Sequence, residues 1–212
     1  MKNINIIVLV SGNGTNLQAI IDAINSGYLK NVYIKGVISD RKQAYAIERA
    51  KKFNIETLII ERNIFKNFLS QKIKEQIIEW ETKFNFRTDY IVLAGFLSIL
   101  DKDFVQYFKN KIINIHPALL PSFGGKGMYG ENVFKAILNS GVKFSGVTIH
   151  FVDEGTDTGP IIYQEIIKLD DNETLETLEE KTHKIEHKIY PEVLKLLSEK
   201  EIIIDGNKTY FS

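Results

Sequence analysis

The chain has 212 residues, 44% apolar and 25% charged, the composition of an ordinary water-exposed globular domain with enough material for one sizeable core. Lysine plus arginine and aspartate plus glutamate both number 27, so no global basic excess draws it to nucleic acid or to an anionic membrane, and any anion site must be local. It has no cysteine, which excludes a disulfide framework, thiolate chemistry and cysteine-ligated zinc.

The first apolar run, Ile4 to Val10, is too short to span a membrane and lacks a cleavage pattern, so a cytoplasmic protein is expected. Its β-branched residues and the Gly-rich turn after it predict a strand buried on both faces. The loop Ser11-Gly12-Asn13-Gly14-Thr15-Asn16 follows, and then Leu17, Ile20, Ile21 and Ile24 recur at helical spacing. Val32 to Ser39 reads as a second strand, Ala44 to Phe53 as a helix, Thr57 to Ile60 as a third strand, and Ile64 to Phe84 as one long charged helix. Tyr90 to Ala94 is a fourth strand, followed by an apolar loop, Gly95-Phe96-Leu97-Ser98-Ile99-Leu100, and a short helix around Asp103 to Phe108. Ile112 onward is a fifth strand that ends in Asn114-Ile115-His116-Pro117.

Strands alternating with helices predict an α/β fold with a doubly wound, mostly parallel sheet, whose ligands sit at the carboxyl ends of the strands. Ser11, Gly95 and His116 all emerge there. Because side chains alternate along a strand, Asn114 and His116 leave the fifth strand on the same side. After the glycine loop Gly124 to Gly130 and a helix near Val133 to Asn139, strands Phe144 to Val152 and Ile161 to Leu169 form an antiparallel extension. A helix from Leu175 to Leu197, kinked near Pro191, and a short pairing of Ile202 to Ile204 with Thr209 to Phe211 complete a single domain over residues 1–212.

Three motifs carry chemistry, each with a blander alternative. Gly12-x-Gly14 matches only part of a dinucleotide fingerprint, with Leu17 at the third glycine, and no lysine completes a nucleotide-triphosphate loop. Free amide groups at a helix start, with Thr15 and Asn16, still suit a phosphate; the alternative is a turn that needs glycine for its backbone alone. The turn Asp153-Glu154-Gly155-Thr156-Asp157 lacks calcium-site spacing, but a carboxylate beside His116 would fix its tautomer and favour the imidazolium. His150, next to an apolar strand, reads as structural. His183-Lys184-Ile185-Glu186-His187 fits an inverted zinc-peptidase pattern, yet no third ligand stands out and charge on a helix surface accounts for it as well. Glu186 lies beside the Ile185 and Ile189 stripe, near the buried edge, where it can also meet a ligand.

In order, S-G-N-G-T-N, A-G-F-L-S-I-L, I-N-I-H-P-A-L-L-P-S-F-G-G-K-G, G-V-T-I-H-F-V-D-E-G-T-D-T-G-P and I-E-H-K-I-Y-P resemble the folate-dependent phosphoribosylglycinamide formyltransferase family across residues 4 to about 195. The resemblance implies a Rossmann-like formyltransferase fold and transfer of a formyl group from the co-substrate 10-formyltetrahydrofolate to the amine of glycinamide ribonucleotide, with no metal. It implies that Asn114, His116 and Asp157 are the catalytic trio. Gly14, Thr15 and Asn16 match the loop that holds the ribonucleotide phosphate region, and Glu186 with His183 matches the ribose-contacting helix. Leu97, Ser98, Ile99 and Leu100, with Asp153, Glu154, Gly155 and Thr156, match the walls of the folate pocket. Two departures stand out. Asn132 and Phe134 occupy positions where relatives carry histidines, and the folate-contacting arginine has no clear counterpart, with Lys66 the nearest candidate.

The chemistry suits these residue types. A neutral amine attacking the formyl carbon gives a tetrahedral oxyanion, which N–H groups of Asn114 and of protonated His116 can stabilise, while Asp157 holds His116 protonated and relays the amine's proton. Glycines 124 to 130 suggest a lid that excludes water. The length leaves no room for the extra domains of the methionyl-tRNA or deformylase relatives. The rivals are a formyltransferase acting on another amine, such as an amino sugar, and a non-catalytic nucleotide- or folate-binding module.

Overall fold

The computed structural model describes residues 2–212, and its layering follows from the first strand. In β1 (Ile4–Val10), Ile4, Ile6, Val8 and Val10 enter one apolar core, while Ile7 and Leu9 enter another on the opposite face. A strand buried on both faces needs helices on both sides. The first core is covered by α1 (Thr15–Asn25) and α2 (Tyr45–Lys52), and the second by α3 (Arg62–Phe65), α4 (Leu69–Lys83) and α5 (Lys102–Tyr107). Later in the chain α6 (Glu131–Ser140) and α7 (Leu175–Glu199) join α1 and α2 on the first face.

Seven strands make one sheet in the order β3-β2-β1-β4-β5-β6-β7, with β2 at Val32–Ser39, β3 at Thr57–Ile59, β4 at Tyr90–Leu93, β5 at Ile112–His116, β6 at Phe144–Phe151 and β7 at Ile161–Lys168. The first five are mutually parallel, and β6 and β7 run antiparallel to their neighbours. A separate antiparallel hairpin pairs β8 (Ile202–Asp205) with β9 (Lys208–Phe211). The chain winds outward from β1 to β3 and returns on the other side at β4. The switch point therefore lies between β1 and β4, the place at which sheets of this kind hold ligands, at the strands' carboxyl ends. Ser11 and Gly95 meet across it through a 3.2 Å backbone hydrogen bond.

Most expected elements appear within one or two residues of their predicted bounds. Two do not. The single helix expected over Ile64 to Phe84 is divided into α3, a 3-10 turn at Lys66–Phe68, and α4, because Lys66 takes a positive φ of 46° that no continuous α-helix allows. Ile64 and Phe68 are consequently exposed instead of packed. Conversely, α7 runs unbroken through Pro191, which lacks only one intrahelical donor; the buried side chains of Ile189, Tyr190, Val193, Leu194 and Leu197 hold the helix on the sheet.

One register irregularity has a clear packing cause. The β1–β2 ladder slips between Ile6 and Ile7, opposite Gly36, and a Cβ at Gly36 would lie 2.1 Å from the Trp80 ring. Glycine there lets the indole of α4 lie directly on the sheet.

The fold also fixes the site through one buried phenol. The Tyr190 hydroxyl on α7 is shared between the Leu93 carbonyl of β4 at 2.9 Å and the Ile113 carbonyl of β5 at 3.2 Å. It is fully buried, and burial first, with the nearby Glu186 second, pushes its pKa well above the ordinary value. It therefore stays a neutral donor and ties α7 to the strand that carries Asn114. Tyr190→Phe is expected to cost about 1–2 kcal/mol, a fall in Tm of about 2–8 °C by calorimetry, because the two carbonyls lose a buried donor.

Candidate active site

The site is assembled from the ends of β5 and β6, and from the turn after β6. Asn114 pairs across the antiparallel ladder with His150, and His116 with Thr148, so Asn114, His116 and His150 project from adjacent strands on the same face. Asn114 Nδ2 lies 3.2 Å from His150 Nε2. The other His150 nitrogen, Nδ1, faces the Phe151 carbonyl at 2.8 Å and must donate to it. In the neutral ring Nε2 is then an acceptor, which turns the amide nitrogen of Asn114 toward His150 and leaves its second N–H free. Burial lowers the His150 pKa, and the opposing pull of the Phe151 carbonyl and Asp157 is smaller, so the ring is held neutral. His150, read from sequence as structural, is hydrogen-bonded to the Asn114 amide and fixes which way it faces.

Asp157 reaches the same cluster. Its Oδ2 lies 3.7 Å from His116 Nδ1, and its Oδ1 lies 3.8 Å from His150 Nε2. The backbone at Asp157 has φ 58°, a left-handed conformation that aspartate tolerates better than most residues, and this aims its side chain back over β5 and β6. His116 is 3% exposed; its Nε2 donates to the Phe123 carbonyl at 2.8 Å, so the nitrogen that faces Asp157 is Nδ1. A carboxylate opposite Nδ1 is favourable when that nitrogen carries a proton and unfavourable when it presents a lone pair. The glycine loop joins in, because Gly125 N–H donates to Asp157 Oδ2 at 3.0 Å. Phe123, the loop residue that accepts from His116, has a positive φ of 55°, an unusual conformation for a bulky residue.

The Gly-rich loop sits beside this cluster. Gly14 has φ 75°, and a Cβ there would come within 2.5 Å of Ala46 Cβ, so glycine is needed both for the turn and for the approach of α2. Arg49 clamps the loop through the carbonyl of Asn13 at 2.9 Å and its side-chain oxygen at 3.2 Å. The backbone reason for glycine is therefore present, and the anion-binding feature is present beside it: no side chain caps the amino end of α1. Asn16, the second residue of α1, donates to Glu186 Oε2 at 3.0 Å, while its own Oδ1 is buried without a partner. Burial raises the Glu186 pKa, with the Asn16 bond and His183 pulling the other way. His183 lies one turn before Glu186, half-exposed, and hydrogen-bonds to neither Asn16 nor Glu186. Its ring stacks on His187 at 6.1 Å between centroids. Glu186 points to Asn16 instead of between the two histidines, and among the described residues no three His, Asp or Glu side chains converge as metal ligands.

The walls differ in character. After β4, Leu97 and Ile99 project outward, whereas Ser98 and Leu100 are half-buried. In the acidic turn, Asp153 accepts from Gly155 N–H and the Thr158 hydroxyl, and Glu154 pairs with Lys102 at 2.9 Å and accepts from Gln106 at 2.9 Å. Asp153 and Glu154 thus shape and anchor the turn, while Thr156 is exposed on it. Asn132 donates to the Gly127 carbonyl and steadies the glycine loop; Phe134 is buried in the core; Lys66 is exposed in the 3-10 turn. The hydrogen bonds of His150, Phe123 and Asp40 depend on strand register and loop path, which local sequence does not carry.

The sheet thus brings an Asn-x-His strand end and the Asp157 carboxylate together. The formyl transferase family profile matches residues 4–194, and the chain belongs to that family. It is 41% identical over 192 residues to the phosphoribosylglycinamide formyltransferase of Bacillus subtilis, covering 90% of this chain and 92% of that protein. It is 36% identical over 208 residues to the trifunctional purine biosynthetic protein adenosine-3 of Bos taurus, covering 97% of this chain but 19% of that protein. The glycinamide ribonucleotide transformylase 1 structure from Symbiobacterium toebii superimposes with a TM-score of 0.88 at 35% identity, over 98% of this chain and 93% of that one. Within the family, the chain falls with the phosphoribosylglycinamide formyltransferases.

Proposed function

We propose that residues 1–212 act as a single formyltransferase domain that moves the formyl group of 10-formyltetrahydrofolate to the amine of glycinamide ribonucleotide, a step of purine biosynthesis, at Asn114, His116 and Asp157. The observation that carries this is the convergence of those three side chains at the carboxyl end of the parallel sheet, the same end at which β1 leads into the uncapped amino end of α1. The ribonucleotide phosphate takes the free amide groups at Gly14, Thr15 and Asn16, and Glu186 with Asn16 meets the ribose hydroxyls, filling the unpartnered Asn16 oxygen. His183 stands at the edge of that pocket. Leu97 to Leu100 and the 153–157 turn receive the folate. Balanced charge, the absence of cysteine, and the lack among the described residues of any helix long and apolar enough to cross a membrane are compatible with a cytoplasmic setting.

In the chemical step the amine attacks the formyl carbon, and the carbonyl oxygen takes the electron pair. The free N–H of Asn114 and the Nδ1–H of His116 stabilise that oxygen. At 3.7 Å, Asp157 is too far from His116 for a direct hydrogen bond, which leaves room for a water or a reacting atom between them. Asp157 faces His116 Nδ1 and takes the ammonium proton, directly or through that water, for delivery to the folate nitrogen as the C–N bond breaks and the carbonyl re-forms. Phe123 and Gly125 close the glycine loop over the trio and limit hydrolysis.

The test is an acceptor comparison. The wild type is expected to consume 10-formyltetrahydrofolate with glycinamide ribonucleotide and not with an amino sugar, and Glu186→Ala to raise the ribonucleotide KM about tenfold or more with little change in the folate KM. Equal use of both amines, with Glu186 dispensable, would favour the other-amine reading.

Glu186 also carries a stability prediction. Its folded pKa lies above the ordinary 4.5 because burial outweighs the Asn16 bond, so the folded state binds the proton more tightly than the unfolded state. Stability from this group is then complete below the unfolded value and is lost as pH rises through the folded value. Glu186→Gln is expected to raise the Tm of the ligand-free protein at pH 7 and to flatten its fall from acidic to neutral pH, while weakening the ribonucleotide. Thermal scans at pH 5 and pH 7 check it; a lower Tm at pH 7 would contradict it.

A further inference from the structure

The loop after β4 is pinned to the body by side chains from three other elements. The Ser11 hydroxyl accepts from Leu97 N–H at 2.8 Å, and the Ser70 hydroxyl of α4 accepts from Asp101 N–H at 3.0 Å. Between these anchors, the Ser98 hydroxyl donates to Asp40 Oδ2 at 2.5 Å. Asp40 follows β2, and its backbone is itself fixed on both sides, N–H to the Val10 carbonyl and carbonyl from Arg62 N–H. At the tip of this tethered loop Leu97 is 44% exposed and Ile99 is 85% exposed, two neighbouring aliphatic side chains held in solvent at the carboxyl end of β4. Asp40 is 1% exposed, and its second oxygen has no partner. A buried carboxylate satisfied on one oxygen is a costly way to finish a strand. A strand end needs no such group; a loop that must present apolar side chains to a ligand needs an anchor.

We infer that Asp40 is a positioning residue for the formyl donor: through Ser98 it holds Leu97 and Ile99 outward as an apolar wall, without touching either substrate. This rests on the proposal above that the loop receives the folate. The wall is preorganised, so binding the donor's apolar body does not have to order the loop first.

The test is steady-state kinetics with both substrates varied, on the whole chain. Asp40→Ala is expected to raise the KM for 10-formyltetrahydrofolate about fivefold or more while the KM for glycinamide ribonucleotide changes by less than about twofold. Ser98→Ala, which removes only an oxygen and keeps the test open if Asp40→Ala fails to fold, should do the same. The double variant should be no worse than either single one, because both break one link. Asp40→Asn retains an oxygen that accepts from Ser98 and should return the donor KM to near the wild-type value. An unchanged donor KM in both alanine variants, or an equal rise in both KM values, overturns the inference. Ile99→Ser tests the underlying placement separately, since this residue is exposed and takes no part in the Asp40 link. If its donor KM does not move, the loop is not the donor's wall; if it rises while the Asp40 and Ser98 variants stay at wild type, only the anchoring role falls.

Discussion

Replacing Asp157 with asparagine is expected to leave the protein folded and able to bind both substrates, and to lower kcat about a thousandfold, a loss of about 4 kcal/mol of transition-state stabilisation. The fold should survive because asparagine has the same shape, accepts the left-handed backbone at φ 58° as readily, and still offers an oxygen to Gly125 N–H. What disappears is charge. Nδ1 of His116 no longer faces a carboxylate, while Nε2 stays committed to the Phe123 carbonyl. The proton leaving the attacking amine also loses its acceptor. Circular dichroism should match wild type, and initial-rate assays should place the defect in kcat with KM values nearly unchanged.

Asn114→Ala is expected to lower kcat about a hundredfold to a thousandfold, the usual effect of removing one donor aimed at a developing oxyanion. Asn114 is half-buried, and its one side-chain hydrogen bond is to His150, so the stability cost should stay near 1 kcal/mol. Substrate affinity should hold, because the amide stabilises the tetrahedral oxygen more than the planar formyl group. Initial rates at saturating concentrations of both substrates check the size of the effect. A variant that loses affinity and keeps kcat would show instead that Asn114 binds the ground state.

The strands are readable from sequence because runs such as Ile4–Val10 and Ile112–Ile115 are buried on both faces and are apolar at every position but the half-buried Asn5 and Asn114. The pairing of Asn114 with His116 was readable for a similarly local reason: period-two alternation places them on one side without any knowledge of the neighbouring strand. His150 was not, because its role depends on the antiparallel register that sets it opposite Asn114. The distance from Asp157 to His116 likewise depends on a left-handed residue in an eight-residue connection between β6 and Pro160, which composition does not fix. The interruption at Lys66 escaped notice because Asn63 to Phe68 contain neither glycine nor proline, and apolar residues at helical spacing there turn out to be exposed. Glu186 was legible as a residue on the edge of a buried stripe; its bond to Asn16 across 170 positions was not.

Single-turnover formyl transfer to glycinamide ribonucleotide, with enzyme in excess over 10-formyltetrahydrofolate, tests the central claim most directly when run on wild type, Asn114→Ala, Asp157→Asn and the double variant. If the three side chains serve one tetrahedral intermediate, wild type transfers the formyl group, each single variant is slowed by at least about a hundredfold, and the double variant is slower than the worse single one by no more than a few-fold. Transfer at the wild-type rate by either single variant, or no transfer by wild type, would contradict the account.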